Sequence, residues 1–348
     1  MRVRTFTIAG CLALVLAAQE KDATFSTDVK VVNVFATVRD KQGRIVQNLG
    51  KEDFSLTEGG VDQAIRYFSR EVDLPLTIGL LVDTSGSQRS VLGEERSASF
   101  KFLDQVLKTD RDQTFVIHFD FETELLQDLT SSRAALQRAL EQLELPANQR
   151  MNRGGGGGGG PRPGGIPGIS FPGGGRRGRG PMPGGGRTVR GFGGGGTTLY
   201  DAVLLASDEI MRRQSGRKTL IVLSDGVDAG SKTTLTDAIE AAQRADTLVY
   251  SILFTGDKPD PRFARYQVNG KDVLQRLAHE TGGSFYEVGK KLTIDQIYER
   301  LQEELRNQYS LGYSPGAGSA SEFRRIKVAT KRKDLAVQAR EGYYPTAP

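Results

Sequence analysis

The sequence predicts an α/β protein built on an open, mostly parallel, doubly wound sheet, with a smaller all-β, sandwich-like domain beside it. Over residues 74–306, apolar strand patterns alternate with helical patterns, which is typical of a parallel sheet with helices on both faces. Short strand patterns flank this region, four in residues 24–72 and three in residues 307–348. Because either set alone is too small for a stable sheet, we expect one discontinuous β domain made from N- and C-terminal strands. Two separate β modules are the alternative.

The strands of this β domain are recognised by alternating apolar and polar side chains and by neighbouring turn residues. We expect them at residues 32–38, 44–47, 54–57, 64–68, 309–313, 325–330 and 335–339. Gly59 and Gly60 are expected to form the turn of a hairpin that leads into the strand at 64–68.

The α/β region opens with a continuous apolar run at residues 77–82, as required of a parallel strand that is covered on both faces. Further strands are expected at residues 114–119, 125–129 (an edge strand), 220–224, 248–254 and 284–287. Helices are expected at residues 90–107, 131–143, 199–213, 234–245, 272–281 and 293–306.

A glycine- and arginine-rich insert occupies residues 150–196. It holds 23 of the 43 glycines, six of the 13 prolines and eight arginines, without any acidic residue, so we expect it to be disordered. The formal net charge of +5 becomes −3 without these arginines, which excludes a globally basic, specific nucleic-acid-binding fold. A solvent-exposed expansion is the simpler explanation of the insert, and a weak polyanion contact through Arg176, Arg177 and Arg179 is the alternative.

The first 19 residues resemble a secretory signal peptide. Arg2 and Arg4 precede an apolar stretch at residues 8–18 that ends in small residues, the order found in export signals. A buried first strand or helix, or a lipid anchor at Cys11, is a less favoured explanation. We therefore expect a periplasmic, cell-surface or secreted protein whose mature chain lacks cysteine and disulfides. No apolar run reaches the roughly 18 residues of a transmembrane span.

Polar side chains gather at the expected carboxyl edge of the sheet. Asp83 ends the first strand of the α/β region and is followed by Ser85 and Ser87, Thr197 precedes a helix, and Asp225 follows a later strand. Open parallel sheets bind ligands at this edge, so we expect the five side chains to meet there. Two carboxylates and three hydroxyls suit a hard divalent cation held octahedrally, whereas zinc or copper would favour histidine or thiolate ligands. A polar strand end or a helix cap is the simpler alternative.

This pattern, Asp-x-Ser-x-Ser followed by a distant Thr and a distant Asp, resembles the metal-ion-dependent adhesion site of von Willebrand factor type A domains. Asp83, Ser85, Ser87, Thr197 and Asp225 match it at every position. The resemblance covers about residues 74–306 and implies the Rossmann-like fold of that family. The β-rich lead-in and tail further resemble a bacterial group of exported proteins related to this domain. The insert immediately before Thr197 is the departure from the family pattern.

The resemblance implies that Ser85, Ser87 and Thr197 would touch the metal directly, while Asp83 and Asp225 would act mainly through bound water. The expected cation is Mg²⁺, with Mn²⁺ and Ca²⁺ as the other candidates. Neutral hydroxyls leave the charge of the cation under-neutralised. The remaining coordination position therefore favours an anion, such as an Asp or Glu carboxylate of a partner protein.

Catalysis finds little support in the sequence. Phosphate transfer of the haloacid dehalogenase type needs a second carboxylate two residues after the nucleophile, where Ser85 stands. A serine hydrolase needs a base, but no Gly-x-Ser-x-Gly elbow is present, and His118 lies in an apolar strand as an expected core residue. The glycine runs also lack a phosphate-binding Gly-Lys-Ser/Thr.

We therefore expect a non-catalytic, metal-dependent adhesion or protein-binding module. The alternative is an exported structural or assembly scaffold whose metal site recruits no ligand.

Overall fold

The computed structural model describes residues 31–70, 74–88, 90–107, 109–143, 188–189, 197–254, 270–316 and 322–345. The expected signal peptide, Cys11 and the three insert arginines lie outside these residues, as does the whole insert except Thr188–Val189. No helix in the described ranges is both long enough and apolar enough to cross a membrane.

The strands of the described chain are β1 (Val32–Arg39), β2 (Phe54–Glu58), β3 (Val61–Asp62), β4 (Tyr67–Arg70), β5 (Leu76–Asp83), β6 (Gln113–Phe119), β7 (Thr123–Thr130), β8 (Thr188–Val189), β9 (Arg217–Ser224), β10 (Leu248–Leu253), β11 (Phe285–Glu287), β12 (Tyr309–Tyr313), β13 (Arg324–Thr330), β14 (Ala336–Ala339) and β15 (Gly342–Tyr343). The helices are α1 (Leu92–Val106), α2 (Arg133–Gln142), α3 (Leu199–Leu205), α4 (Leu235–Arg244), α5 (Gly270–Thr281) and α6 (Ile294–Arg306). A π-helical turn (Ala206–Ile210) and a 3-10 turn (Met211–Arg213) extend α3.

The central sheet has the strand order β11-β10-β9-β5-β6-β7-β8. The strands from β11 to β6 are parallel, and β7 and β8 are antiparallel additions at one edge. Helices α1, α2 and α6 pack on one face of this sheet, and α3, α4 and α5 pack on the other. The predicted open, mostly parallel, doubly wound sheet is therefore confirmed.

Strand β5 lies at the point where the strand order reverses. The chain passes from β5 to β6 on one side, then returns to β9 on the other side and continues outward to β10 and β11. In open α/β sheets, ligands bind at the carboxyl ends of the strands that flank such a reversal. Asp83 is the last residue of β5, and Ser224 is the last residue of β9. The topology thus brings the predicted site to the favoured edge.

Every residue of β5 is buried, because the strand lies in the middle of the sheet and is covered by helices on both faces. Gly79 is required at its centre, since a Cβ there would collide with the side chains of Phe115 and Leu220. The close approach of these two side chains to Gly79 lets β5 pack tightly between β6 and β9.

Two smaller sheets combine strands from both ends of the described chain. Their strand orders are β14-β1-β12-β4 and β15-β13-β2-β3. Strand β1 pairs with both β12 and β14, and β2 pairs with β13. The two sheets share one apolar core that includes Val34, Leu56, Tyr309 and Ile326. This arrangement confirms the predicted sandwich of N- and C-terminal strands.

The sandwich contacts the amino ends of the parallel strands, opposite the predicted metal site. Arg340 pairs with Asp246, which precedes β10, and the Gln338 amide donates to the carbonyl of Gly283, which precedes β11. From Val31 onward the chain forms one compact unit. The expected boundaries at 24–72, 74–306 and 307–348 stay a prediction.

Two details of the lead-in differ from the sequence-based expectation. Residues 44–47 form only one antiparallel bridge, between Ile45 and Arg39, rather than the expected strand. The carboxylate of Asp40 accepts the backbone N–H groups of Gln42 and Arg44 and holds a turn there. Gly59 and Gly60 do form the hairpin turn with positive φ angles of 58° and 84°. The returning strand, however, is the short β3, and the chain then crosses to the other sheet as β4.

A buried ion pair joins β1 to α6. The Arg39 guanidinium lies 2.6 Å from the carboxylate of Glu304, which is fully buried. The hydroxyls of Tyr286 and Ser284 each donate to the same carboxylate at 2.8 Å. Since a buried carboxylate is tolerated when it is both paired and hydrogen-bonded, this cluster fixes the first strand of the sandwich against the last helix of the α/β region.

Replacing Arg39 should show how much this pair contributes. We expect Arg39→Met to lower the free energy of unfolding by about 3 kcal/mol, because the Glu304 carboxylate stays buried without its cation. Arg44→Met is the matched control, since it removes an exposed pair with Asp40 and should change stability far less than Arg39→Met does. Urea unfolding at pH 7 measures both, and equal losses in the two variants would contradict the structural role of the buried pair.

Candidate metal centre

Asp83 is the anchor of the candidate site. It is fully buried, and its carboxylate accepts the N–H of Ser85 at 2.9 Å and the hydroxyl of Ser224 at 2.6 Å. The Ser224 hydroxyl in turn accepts the N–H of Gly226 at 3.0 Å. These bonds tie the carboxylate to the ends of both β5 and β9, so Asp83 fixes the two loops relative to each other.

The hydroxyls of Ser85 and Ser87 lie next to each other above this carboxylate. Their oxygens are 3.0 Å apart, and Ser85 is half-buried while Ser87 is exposed. In an octahedral magnesium site with metal–oxygen distances of about 2.1 Å, neighbouring ligand oxygens are about 3.0 Å apart. The spacing therefore fits two adjacent positions around one cation.

Asp225 follows β9 at the same edge. Its carboxylate accepts the N–H of Val227 at 3.0 Å, and it acts electrostatically on the carboxyl of Asp83. The next residue, Gly226, has a φ of 78°, and a Cβ there would collide with the backbone of Gly270. A glycine is thus needed to turn the chain away while Asp225 stays close to Asp83.

Thr197 reaches the edge through its backbone. Its carbonyl accepts the N–H groups of Ala229 at 3.1 Å and Gly230 at 3.0 Å, and the N–H of Thr198 donates to the carbonyl of Asp120 at 2.9 Å. The residues that follow the insert are therefore held between the loops after β6 and β9. The structure links Asp83, Ser85 and Ser87 by hydrogen bonds and Asp225 by charge. That Thr197 and the other four residues bind one metal ion stays a prediction.

Two buried polar side chains near this edge are not among the residues that the sequence pattern predicts for the site. Gln88, in the loop before α1, and Glu95, in the first turn of α1, are both fully buried. Among the described residues, neither the amide of Gln88 nor the carboxyl of Glu95 has a hydrogen-bond partner. Glu95 lies on the same helix face as Ala98, Ser99 and Phe102. An acidic residue on this largely apolar face is the sequence feature that could have identified it as a candidate site residue.

The site accumulates negative charge. Loss of solvation on burial and, to a smaller extent, the carboxyl of Asp225 together raise the pKa of Asp83 to about 7. Burial also raises the pKa of Glu95 well above its usual value, and Asp83, Glu94 and Asp225 act in the same direction. A divalent cation would relieve this repulsion, so the donor set fits one.

Such a cation would need more than carboxylates. Among the described residues, no three His, Cys, Asp or Glu side chains are placed to hold a metal between them. Serine and threonine hydroxyls, with water, would have to supply the other oxygens, which is the donor set that the sequence predicts.

His118 lies beside the site without joining it. It is buried in β6, and its Nδ1 is 3.0 Å from the Thr84 hydroxyl while its Nε2 is 3.1 Å from a carboxylate oxygen of Glu124. Both ring nitrogens are therefore engaged, as in a satisfied core histidine.

The solved structures similar to this chain include von Willebrand factor type A proteins. A von Willebrand factor type A protein from Catenulispora acidiphila is 12% identical, with a TM-score of 0.42 over 86% of this chain and 75% of its own. The hypothetical protein BatB from Bacteroides thetaiotaomicron is 13% identical, with a TM-score of 0.41 over 66% of this chain and 97% of its own.

Proximal thread matrix protein 1 from the mussel byssus, with a zinc-occupied MIDAS motif, is 14% identical, with a TM-score of 0.42 over 72% of this chain and 50% of its own. No family model matches the chain, and no curated protein matches it. Because these similarities are low, the fold assignment rests on the strand order and helix placement described above.

Asp83→Asn should stabilise the metal-free protein. The pKa of Asp83 is about 7 in the folded chain against an ordinary 3.8, so the folded state binds the proton more tightly and stability falls as pH rises from about 4 to 7. A neutral amide avoids this effect. We expect a gain of about 4 kcal/mol at pH 8 and less than half of that at pH 5, measured by urea unfolding in EDTA.

Asp112→Asn is the control for this substitution. Asp112 is buried at the opposite edge of the sheet, where its carboxylate accepts the N–H groups of Leu76 and Thr109 at 3.0 Å each. Both of these donors are backbone N–H groups, so the amide leaves one of them unpaired and this variant should lose stability. At Asp83 one of the two donors is the Ser224 hydroxyl, which can instead accept from the amide N–H of the substituted side chain. A loss of stability in Asp83→Asn at pH 8 would show that the Asp83 carboxylate is not under charge strain.

Proposed function

We propose that the protein is a non-catalytic, metal-dependent adhesion or protein-binding module. A divalent cation, Mg²⁺ in the first place, would lie at the carboxyl edge between β5 and β9. The observation that carries this proposal is the pair of hydroxyls 3.0 Å apart in the loop that follows the buried carboxylate of Asp83, whose pKa is raised. Ser85, Ser87 and Thr197 would hold the cation, and Asp83 and Asp225 would hold its bound water.

The exposure of the hydroxyls indicates the kind of ligand. Ser87 is exposed and Ser85 is half-buried, so a cation between them would face the protein surface. Two surface cavities, of about 530 Å³ against α5 and about 240 Å³ against β2, lie away from these residues. A surface cation with neutral protein ligands attracts an anion, and a carboxylate on a partner protein can reach it without entering a cleft.

The carboxylate that would orient the metal-bound water is held in place by other residues of this chain. Asp83 cannot turn away, because Ser224 and the N–H of Ser85 hold both of its oxygens. It would therefore keep bound water oriented while the hydroxyls contact the ion. The cation itself would supply positive charge for the partner carboxylate.

A second candidate is an exported scaffold whose cation site recruits no partner. The observation that favours it is the close attachment of the sandwich to the α/β region through the buried Arg39–Glu304 pair. In both proposals the protein acts outside the cytoplasm, which is the expectation from the signal-like segment at residues 1–19.

Titration calorimetry with Mg²⁺ and Mn²⁺ tests the cation site. We expect the parent protein to bind both ions and Asp83→Ala to lose binding, because the buried charge is gone. The double variant Ser85→Ala, Ser87→Ala should weaken binding at least tenfold by removing two ligands. Ser97→Ala, an exposed serine on α1, is the control and should bind as the parent does. Unchanged binding in the double variant would rule out the hydroxyl site.

Partner capture separates the two candidate functions. An adhesion module should retain exported proteins in Mg²⁺ and release them in EDTA, and the Asp83→Ala variant should retain none. Because a carboxylate would complete the metal site, acetate should compete with the partner while acetamide should not. Metal binding without any metal-dependent capture would support the scaffold instead.

A further inference from the structure

Helix α1 carries a buried carboxylate that has no partner in the described structure. Glu95 is fully buried, and both of its carboxyl oxygens lack a hydrogen-bond partner. The equally buried Glu304 differs, because Arg39 pairs with it and two hydroxyls donate to it. A side chain buried without such partners is costly for the fold, so its presence calls for a ligand or a functional reason.

Glu95 lies directly behind the metal-site loop. The N–H of Gln88 donates to the carbonyl of Ser85 at 3.0 Å, the N–H of Leu92 donates to the carbonyl of Gln88 at 3.0 Å, and the N–H of Glu95 donates to the carbonyl of Val91 at 3.0 Å. The loop and the helix are thus one continuous turn-and-helix unit. Glu95 therefore moves with the serines of the metal site as part of the same unit.

The charged neighbours of Glu95 are acidic. In the described part of the chain, the carboxyls of Asp83, Asp225 and Glu94 act on it electrostatically. On the side of α6, it acts on the Tyr298 hydroxyl, which is already bonded to Ser99 at 2.7 Å. Glu95 thus lies between the metal edge and α6, and its surroundings favour a positive charge.

Helix formation does not explain this placement. The helix dipole stabilises an acid in the first turn of a helix only slightly, and the exposed Glu94 already provides one there. Burying a carboxyl group whose two oxygens have no hydrogen-bond partner costs more than the dipole returns. The dipole is therefore too weak to account for Glu95.

We propose that Glu95 is a third carboxylate of the cation site, which acts behind the direct ligands and strengthens the binding of a divalent ion. This inference rests on the proposed function. We place Glu95 behind the direct ligands because it is fully buried, whereas the hydroxyls of Ser85 and Ser87 are half-buried and exposed. Its carboxylate, ionised when a cation is bound, would act electrostatically together with Asp83, and the unpartnered amide of Gln88 is available for a bound water that both groups share.

Glu95→Gln, beside Glu94→Gln, tests the proposal. Glutamine keeps the shape and removes the charge, and Glu94 is the exposed neighbour in the same helical turn. We expect Glu95→Gln to weaken the binding of Mg²⁺ and Mn²⁺ at least tenfold in titration calorimetry, as is typical when a group behind the direct ligands is lost. Glu94→Gln should stay within twofold of the parent, and Glu95→Asp, which keeps the charge, should recover part of the affinity.

Thermal unfolding with and without metal provides a readout that a purely structural role would not move. Glu95→Gln should raise the midpoint in EDTA and reduce the further rise that metal produces. A Glu95→Gln protein that binds metal as tightly as the parent, while Asp83→Ala loses binding, would overturn this role of Glu95 alone. A parent protein that binds neither ion would overturn the proposed function and this inference with it.

Discussion

A carboxylate that leaves water must be neutralised, and the protein meets this constraint in two different ways. At Glu304, on α6, the charge is balanced by Arg39 and by two hydroxyl donors, and the result is a fixed joint between the sandwich and the α/β region. Asp83 and Glu95 lie near the other end of the sheet. Their pKa values are raised, and the charged groups that act on them are other carboxyls. The first cluster is complete without a ligand, whereas the carboxyls of the second are neutralised by protons, as their raised pKa values indicate, or by the cation that we propose.

This division follows from the topology. The sandwich contacts the amino ends of the parallel strands, through Arg340 with Asp246 and Gln338 with Gly283, so the carboxyl edge stays open. Strand β1 can pair with β12 and β14 because the tail returns to the lead-in at that end. Joining the two ends of the described chain therefore leaves the opposite edge free for binding. The contacts of the sandwich with the α/β region and the candidate metal site therefore lie at opposite ends of the parallel strands.

The fold was predictable because the burial of strands and helices produces regular apolar patterns in the sequence. Strands β5 and β9 are fully buried and read as continuous apolar runs, so the parallel core was found. The predicted strand at 44–47 was wrong because the Asp40 side chain competes for the backbone N–H groups. In the site, the Asp-x-Ser-x-Ser pattern could be read locally. The pairing of Arg39 with Glu304, and the lack of a partner for Glu95, depend on contacts between distant segments, which no local pattern contains.

The arrangement at the carboxyl edge places neutral oxygens outside and negative charge inside. An ion above Ser85 and Ser87 would be attracted by Asp83, Asp225 and Glu95 from below, yet its outward face would meet only solvent or a partner. Inner charges strengthen the retention of the cation without occupying its outward coordination position. Ligating carboxylates in the place of the serines would neutralise the cation and remove its attraction for an anion. Repulsion between the buried carboxyls destabilises the metal-free state alone. A bound cation would remove this repulsion, so its removal would add to the free energy of cation binding.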